Sequence, residues 1–128
     1  MKIIILVPVY NDWKSVSKLI EEINSTVSNL NCNFSIMIVN DASTEQQSIY
    51  APNLENIQSV QIINMKENRG HARCIASGLK HIFEKEEFDY VIPMDGDGED
   101  RPEEIKNFLD YLKYTSDKPI VGERVKRS

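Results

Sequence analysis

The stretch Ile3-Ile4-Ile5-Leu6-Val7-Pro8 decides the fold of this 128-residue chain. Its apolar residues follow one another without alternation and are mostly β-branched, which is typical of a strand buried on both faces of a parallel sheet. Pro8 has no N–H to give to a sheet and predicts the end of this strand. The run is too short to span a membrane, and it lacks the small-residue cleavage site of a signal peptide.

Outward from this strand, helical and strand patterns alternate. Asn11 or Asp12 stands where a helix cap is expected. Two further strands are predicted over residues 34–39, closing on Asn40-Asp41-Ala42-Ser43, and over residues 60–63. One long amphipathic helix between the first two strands is predicted by apolar residues at helical spacing, namely Val16, Leu19, Ile20, Ile23, Val27 and Leu30.

The second half of the chain continues the alternation. Asn68-Arg69-Gly70 predicts a turn that leads into a helix over residues 71–83, followed by a fourth strand over residues 90–94. Pro102 suits the first residue of a helix running to residue 114, and residues 119–121 predict a fifth strand. The order predicts an α/β fold with a mostly parallel sheet, and it ends without a helix to close the last unit. We therefore interpret the chain as a truncated domain.

Composition narrows the class of protein. The chain is 41% hydrophobic and 27% charged, which is typical of a globular domain, and 128 residues fit one domain. A net charge of −5 argues against nucleic-acid binding, which requires a basic face. Cys32 and Cys74 are far apart and outside any Cys-x-x-Cys motif, so we expect reduced, buried thiols and a cytoplasmic location.

An acidic cluster follows the fourth strand. Asp95, Asp97 and Glu99 alternate with glycines, so an extended segment could aim all three carboxylates at one point. Hard oxygen donors of this kind suit Mg²⁺ or Mn²⁺. The alternative is a solvated acidic loop, which the strand pattern before it makes the weaker interpretation.

Polar residues also follow the first two strands. Tyr10 and Asp12 come after the first, and Asp41 and Ser43 after the second. Because the carboxyl ends of parallel strands lie along one edge of a sheet, these groups and the acids predict a single cleft. There a base or ribose could stack on Tyr10 and donate to Asp41, while a metal draws a diphosphate to the acids. The alternative assigns these residues to caps and turns.

Four motifs in order resemble those of family 2 glycosyltransferases with the GT-A fold, a Rossmann-like three-layer α/β/α architecture. Among these, the dolichyl- and polyprenyl-phosphate sugar transferases are the most similar. Each motif alone is weak, and the ordered set covers nearly the whole chain. The motifs are Val7-Pro8-Val9-Tyr10-Asn11-Asp12, Val39-Asn40-Asp41-Ala42-Ser43, Asn68-Arg69-Gly70-His71-Ala72 and the run from Met94 to Glu104.

The resemblance implies residues for the nucleotide. Pro8, Tyr10 and Asp12 match positions that hold the base and ribose, with Asp12 standing where the family usually has Glu. Val39 belongs to the same nucleotide-sugar site by its place in the second motif. Asp41 matches the second acid of an Asp-Asp pair that contacts the base, and this chain has Asn40 as the first.

The resemblance also implies a metal and diphosphate site. Asp95 and Asp97 match the Asp-x-Asp motif that holds the metal and the donor diphosphate. Glu99 stands at a position where related enzymes often place a Gln metal ligand. Arg124 matches an Arg that contacts a phosphate of donor or acceptor.

The implied function is inverting transfer of a sugar from a nucleoside-diphosphate sugar to a polyprenyl phosphate or a glycan, in cell-wall or glycan synthesis. The metal would stabilise charge on the leaving diphosphate. The family usually supplies its catalytic base from the second half of the domain. An alternative is a half-domain that binds nucleotide and metal without turnover. The whole protein would sit in the cytoplasm or at the cytoplasmic face of a membrane, and an incomplete sheet could pair with a second copy.

Other enzyme and site classes fit less well. An EF-hand fails because Asp100 replaces the required Gly and Lys106 the terminal Glu. A haloacid-dehalogenase phosphatase opens with its Asp-x-Asp motif, whereas here only about thirty residues follow it. A Rossmann dehydrogenase needs a Gly-x-Gly-x-x-Gly after the first strand. His71 could approach the diphosphate, although an exposed first-turn residue is the simpler interpretation.

Overall fold

A computed structural model describes residues 1–51, 53–95 and 102–114, with the backbone alone for residues 112–114. Predicted features that fall on other residues, including the fifth strand, lie outside this description. The described elements follow the predicted order of strand, helix, strand, strand, helix, strand, helix. They are β1 (Lys2–Val9), α1 (Trp13–Thr26), β2 (Asn33–Asn40), β3 (Ser59–Asn64), α2 (His71–Lys85), β4 (Tyr90–Pro93) and α3 (Glu104–Tyr114).

The described strands form one sheet in the order β3-β2-β1-β4, and each neighbouring pair is parallel. β1 lies between β2 and β4, so it is covered on both edges over part of its length. This arrangement confirms the predicted α/β class with a parallel sheet. It also places the carboxyl ends of the four strands along one edge, as a parallel sheet requires.

Two helical layers cover the sheet. On one face Ile3, Ile5 and Val7 of β1 belong to a core with the buried residues of α1 and α3. On the other face Ile4 and Leu6 belong to a smaller core with Cys74 and Ile82 of α2. Successive side chains of a strand point to opposite faces, which explains why β1 is apolar throughout. The three-layer α/β/α architecture is therefore confirmed.

The close approach of α2 to the sheet depends on Gly78. A Cβ added there would lie 2.6 Å from Cδ1 of Leu6 and 2.7 Å from Cγ2 of Val39. No larger residue fits without a shift of these side chains. The absence of a side chain at Gly78 therefore sets how near the helix can lie to β1 and β2.

β1 continues past Pro8, which the sequence predicts as its end. Pro8 and Val9 stay in register with Val39 and Asn40 of β2. Pairing with β4 stops at Leu6, whose carbonyl accepts from the N–H of Met94. Since alternate residues of a strand face the same neighbour, the missing N–H of Pro8 falls on the side where no ladder bond is needed.

All three described helices differ in length from their predictions, and α2 runs two residues further than predicted, to Lys85. α1 ends at Thr26, and Val27 closes it as the C-cap, because its N–H donates to Ile23 at 3.0 Å. Val27 and Leu30 still pack against the core, so a turn after the helix preserves the apolar spacing that predicted a longer one. α3 begins at Glu104, two residues after Pro102, and the Pro102 carbonyl accepts from Ile105 in the turn that precedes it.

Neither α1, α2 nor the described part of α3 is long and apolar enough to cross a lipid bilayer.

Candidate functional site

The end of β1 turns sharply into α1. Asn11 has a left-handed φ of 65°, a conformation that Asn tolerates better than most residues. Asp12 caps α1, because its carboxylate accepts from the backbone N–H of Ser15 at 3.4 Å. Tyr10, between the strand and this turn, is 48% exposed. The prediction that Asp12 caps the helix is thus confirmed. The aromatic ring of Tyr10 is accessible at the edge of the sheet where the strands have their carboxyl ends.

A pocket of about 220 Å³ opens at this edge. It joins residues from the end of β1 to residues from the end of β4 and the start of α2. Three of the residues predicted to hold the nucleotide meet there with one of the predicted metal ligands. Its lining residues are Pro8, Val9, Tyr10, Asp12, Val16, His71 and Asp95.

Asp41 lies at the end of β2 but does not line this pocket. It is 5% exposed, and its two oxygens accept from the backbone N–H groups of Arg69 at 2.9 Å and Gly70 at 3.1 Å. The carboxylate therefore anchors the loop that leads into α2. Its predicted contact with a nucleobase remains a prediction.

Val39 is likewise outside the pocket. Its side chain is fully buried in the core beneath α2, and its carbonyl accepts from the thiol of Cys74 at 3.3 Å. Its place in the second motif thus reflects a strand core position in this structure, and its predicted role in nucleotide-sugar binding is still to be tested.

A hydrogen-bond network links the ends of β1, β2 and β3. The side-chain oxygen of Asn40 accepts from the hydroxyl of Ser43 at 2.6 Å, and its NH₂ donates to Asn64 at 2.9 Å. The Ser43 hydroxyl in turn accepts from the backbone N–H of Asn11 at 2.8 Å. An aspartate at position 40 could accept but could not donate to Asn64. Asn40 therefore accepts and donates at once, at the position that the resemblance assigns to an acid.

Asn64 and Thr44 belong to this network and were missed by sequence reasoning. Thr44 accepts from the side-chain NH₂ of Asn11 at 3.0 Å. A polar residue directly after the apolar run of β3 was the available indication for Asn64. Its partner could not be identified before the strand order was known.

His71 begins α2 and faces the end of β4. Its Nε2 lies 3.0 Å from Oδ1 of Asp95, which is hydrogen-bonding distance. The side chains of His71 and Asp95 are 59% and 37% exposed, so both remain accessible from the pocket. His71 is exposed, as the simpler interpretation expected, and it also contacts a predicted metal ligand.

Cys74 lies one turn further into α2, in a dry environment. Burial, with the nearby Asp41 carboxylate as a second cause, raises the pKa of its thiol from 9.0 to about 11. The nearby backbone of Val9 acts in the opposite direction and lowers this pKa. The core placement predicted for Cys74 is confirmed, whereas Cys32 is only half-buried.

A second, larger cavity of about 640 Å³ lies beside the first, between α1 and the segment after β2. It shares Asp12 with the pocket at the strand ends and is otherwise lined by side chains such as Lys14, Lys18 and Tyr50. Volume alone would favour it as the site. The smaller pocket is the better candidate because it lies where the carboxyl ends of the strands converge.

The predicted metal site extends beyond the described residues. The described residues include one predicted metal ligand, Asp95. They do not include Asp97, Glu99 or Arg124. Within the described ranges no three His, Cys, Asp or Glu side chains are grouped closely enough to hold a metal ion. Asp95 supplies one hard oxygen donor of the type that Mg²⁺ and Mn²⁺ prefer.

Comparison with known proteins identifies the family of the chain and supports its fold. The family model described as glycosyl transferase family 2 matches residues 4–128. The structure of S. aureus TarS residues 1–349 in complex with UDP-GlcNAc is similar with a TM-score of 0.63 and 20% identity, over 89% of this chain and 32% of that one.

A mannosyltransferase from Pyrobaculum calidifontis, in complex with GDP-Man and Mn²⁺, is similar with a TM-score of 0.61 and 18% identity, over 86% of this chain and 32% of that one. The chain thus spans about a third of the length of these structures, and the likeness to them establishes the fold. The match to the family model covers nearly all of the sequence, and the chain belongs to glycosyl transferase family 2.

Proposed function

We propose that this chain is the donor-binding part of an inverting, metal-dependent glycosyltransferase that takes its sugar from a nucleoside-diphosphate sugar. The observation that carries the proposal is the pocket in which Tyr10 and Asp12, from the end of β1, meet Asp95, from the end of β4. Membership of glycosyl transferase family 2 supports the reaction class.

The β1 side of the pocket is assigned to the nucleoside. Tyr10 offers an exposed ring on which a base can stack, and Pro8 and Asp12 line the same space. Asp12 can accept from a ribose hydroxyl while it caps α1, since a carboxylate has about four acceptor sites. Asp41 is assigned an indirect part, through the loop that it anchors.

The β4 side is assigned to the diphosphate and a divalent cation. Asp95, together with Asp97 and Glu99, would hold Mg²⁺ or Mn²⁺, and Arg124 would contact a phosphate. The cation supplies stabilisation of the negative charge that builds on the leaving diphosphate. The Mn²⁺ in the structure of the similar mannosyltransferase supports this assignment.

The acceptor classes that we propose are a polyprenyl phosphate and a glycan. An acceptor that is itself a phosphate needs little help from a base, whereas a hydroxyl acceptor needs one to remove its proton. The catalytic base is unassigned here. We further propose that the whole protein acts in the cytoplasm or at the cytoplasmic face of a membrane.

A second candidate is a module that binds nucleotide and metal without turning over. It is favoured by one observation, namely that the chain spans about a third of the structures it resembles. An assay of sugar transfer by the 128-residue chain beside a longer form of the protein separates the two functions. Transfer by the shorter chain alone would eliminate the binding-only function.

The donor site is tested by calorimetric titration with UDP, GDP, CDP and dTDP, each with and without Mn²⁺. We expect one nucleotide to bind tightly only with Mn²⁺, and Asp97→Ala to weaken that binding at least about tenfold, since removal of even an outer-shell partner of a metal ligand costs about 10–100-fold. Glu84→Ala, an exposed acid near the far end of α2, is the matched control and should bind as the wild type does. Nucleotide binding that is the same with and without Mn²⁺, and the same in Asp97→Ala as in the wild type, would overturn the site assignment.

A further inference from the structure

We propose that Asp41 and His71 are positioning residues for Asp95. Asp41 fixes the loop before α2 to the end of β2, and His71, at the start of α2, orients the carboxylate of Asp95. The inference rests on the proposed function, in which Asp95 is a metal ligand. It adds two residues that control how well that ligand is oriented.

The two strand ends that these residues connect are not neighbours. β1 lies between β2 and β4, so no backbone hydrogen bond joins the end of one to the end of the other. The contacts made by the start of α2 span this gap. They run from Asp41 through Arg69 and Gly70 to His71 and from there to Asp95.

The first step is the hold of Asp41 on the loop. Both of its oxygens accept from consecutive backbone N–H groups, those of Arg69 and Gly70. Bonds from a carboxylate to backbone N–H groups are about twice as strong as neutral ones, and Asp41 itself is buried. The position of the loop is therefore set by β2.

The second step is the turn at Gly70. Its φ of 89° and ψ of 164° place it in a region that is accessible almost only to glycine, and the chain enters α2 directly after it. His71 is the first residue of that helix. Its location therefore follows from the loop that Asp41 holds.

The third step is the contact of His71 with Asp95. Nε2 of the ring lies 3.0 Å from Oδ1, and both side chains line the pocket. Asp95 follows the last residue of β4 by two positions, where the ladder to β1 has already ended. A partner for its carboxylate therefore restricts its rotation. Groups that orient metal ligands in this way typically change metal affinity by about 10–100-fold when they are removed.

Mn²⁺ binding, followed by the electron paramagnetic resonance of the free ion in the presence of the nucleotide that binds best, tests the role of His71. We expect His71→Leu to weaken Mn²⁺ binding about 10–100-fold. His71→Gln keeps an N–H donor near the position of Nε2 and should restore binding to within about threefold of wild type, less than the loss of a partner. His81→Leu, on the same helix, is the control and should leave Mn²⁺ binding unchanged.

Two outcomes of this comparison overturn the role of His71. One is wild-type Mn²⁺ binding by His71→Leu. The other is an equal loss in His71→Gln and His71→Leu, because the ring would then act as a ligand or a phosphate contact itself. Thermal unfolding of each His71 variant is recorded alongside and should match that of the wild type, as expected for a side chain that is 59% exposed.

A double-mutant cycle tests the link to Asp41. Asp41→Asn should weaken Mn²⁺ binding. The double variant with His71→Leu should bind Mn²⁺ as well as the single variant of lower Mn²⁺ affinity, because both changes interrupt the same series of contacts. Additive losses would show separate effects and would overturn the link.

The imidazole ¹H–¹⁵N spectrum separates failure of this inference from failure of the proposed function. The chain has two histidines, so His81→Leu assigns the ring of His71. We expect Nε2 of His71 to carry a proton and to shift in Asp95→Asn, without any metal or nucleotide present. An unchanged spectrum overturns the positioning role while nucleotide binding stands, whereas absence of nucleotide and Mn²⁺ binding in the wild type overturns the proposed function and this inference with it.

Discussion

The ends of β2 and β4 each carry an aspartate, and the structure uses the two in opposite ways. Asp41 is 5% exposed and accepts from two backbone N–H groups, whereas the side chain of Asp95 is 37% exposed and faces a histidine across a pocket. A buried carboxylate with backbone partners holds the fold together. A partly exposed carboxylate on the wall of a pocket remains accessible to a ligand.

The same contrast extends to the surroundings of each aspartate. The end of β2 sits in the network of Asn40 and Ser43 and above the buried thiol of Cys74. The end of β4 sits at the border of the acidic motif. We infer that one strand end is specialised for stability and the other for binding, and each of the following predictions tests that division.

The largest expected effect separates the two aspartates directly. Asp41→Ala should lower the free energy of unfolding by about 3 kcal/mol, because two bonds to a charged acceptor are lost at about 1.5 kcal/mol each. Asp95→Ala should change it by less than about 0.5 kcal/mol, as expected for a partly exposed side chain. Urea denaturation measures both, and equal effects of the two substitutions would remove the distinction.

The second prediction concerns pH at the buried end. The pKa of Cys74 is raised from 9.0 to about 11, so between these values the folded protein keeps a proton that the unfolded chain has released. Stability is therefore lost as the pH rises from 9 toward 11, by roughly 2 kcal/mol from this thiol. The measurement is the difference in unfolding free energy between wild type and Cys74→Ala across this range. Cys32→Ala should keep the wild-type dependence, and a flat difference for Cys74→Ala would argue against a dry environment.

The third prediction tests the loop that joins the two ends. Gly70→Ala should destabilise the protein by about 1–2 kcal/mol, since its backbone conformation strains any residue with a Cβ. No atom lies within 4 Å of the added Cβ, so the cost is conformational rather than steric. Chemical denaturation should show no comparable loss in Ser77→Ala, an exposed change within α2. A Gly70→Ala variant as stable as the wild type would mean that the loop is not held as described.

The smallest expected effect is a gain at the end of β2. Ala42 has a left-handed φ of 55°, which costs a residue with a Cβ about 1–2 kcal/mol. Ala42→Gly relieves this strain but increases the entropy of the unfolded chain, and the net expectation is a gain of about 0.5 kcal/mol. The same exchange at exposed Ala76 within α2 should instead cost about 1 kcal/mol. Thermal unfolding of the pair compares them, and a loss at both positions would contradict the strain.

The architecture could be predicted because it depends on local patterns. An unbroken apolar run such as residues 3–7 predicts a strand that is covered on both faces, and helical spacing predicts the helices that cover it. The pattern misplaces a boundary where a turn continues the apolar spacing, as after Thr26. It also ends β1 too early at Pro8, because the effect of this residue depends on which neighbouring strand its nitrogen faces.

The candidate site could be predicted in part. The gathering of Pro8, Tyr10, Asp12 and Asp95 at one pocket follows from the rule that parallel strands end along one edge. The roles of Asp41 and Val39 could not be separated by that rule. Val39 lies within β2 and Asp41 directly follows it, and the structure places Val39 in the core beneath α2 and bonds Asp41 to the loop before that helix.

By itself, then, the sequence determined the alternation of strands and helices, the parallel sheet and the polar edge, because these depend on periodicity and on the chemistry of neighbouring residues. Tertiary structure alone decided that β1 separates β2 from β4 and that α2 spans their ends. Contacts such as Asp41 with Gly70 and His71 with Asp95 join residues that are distant along the chain. Their partners follow from strand order and helix placement, which no local pattern specifies.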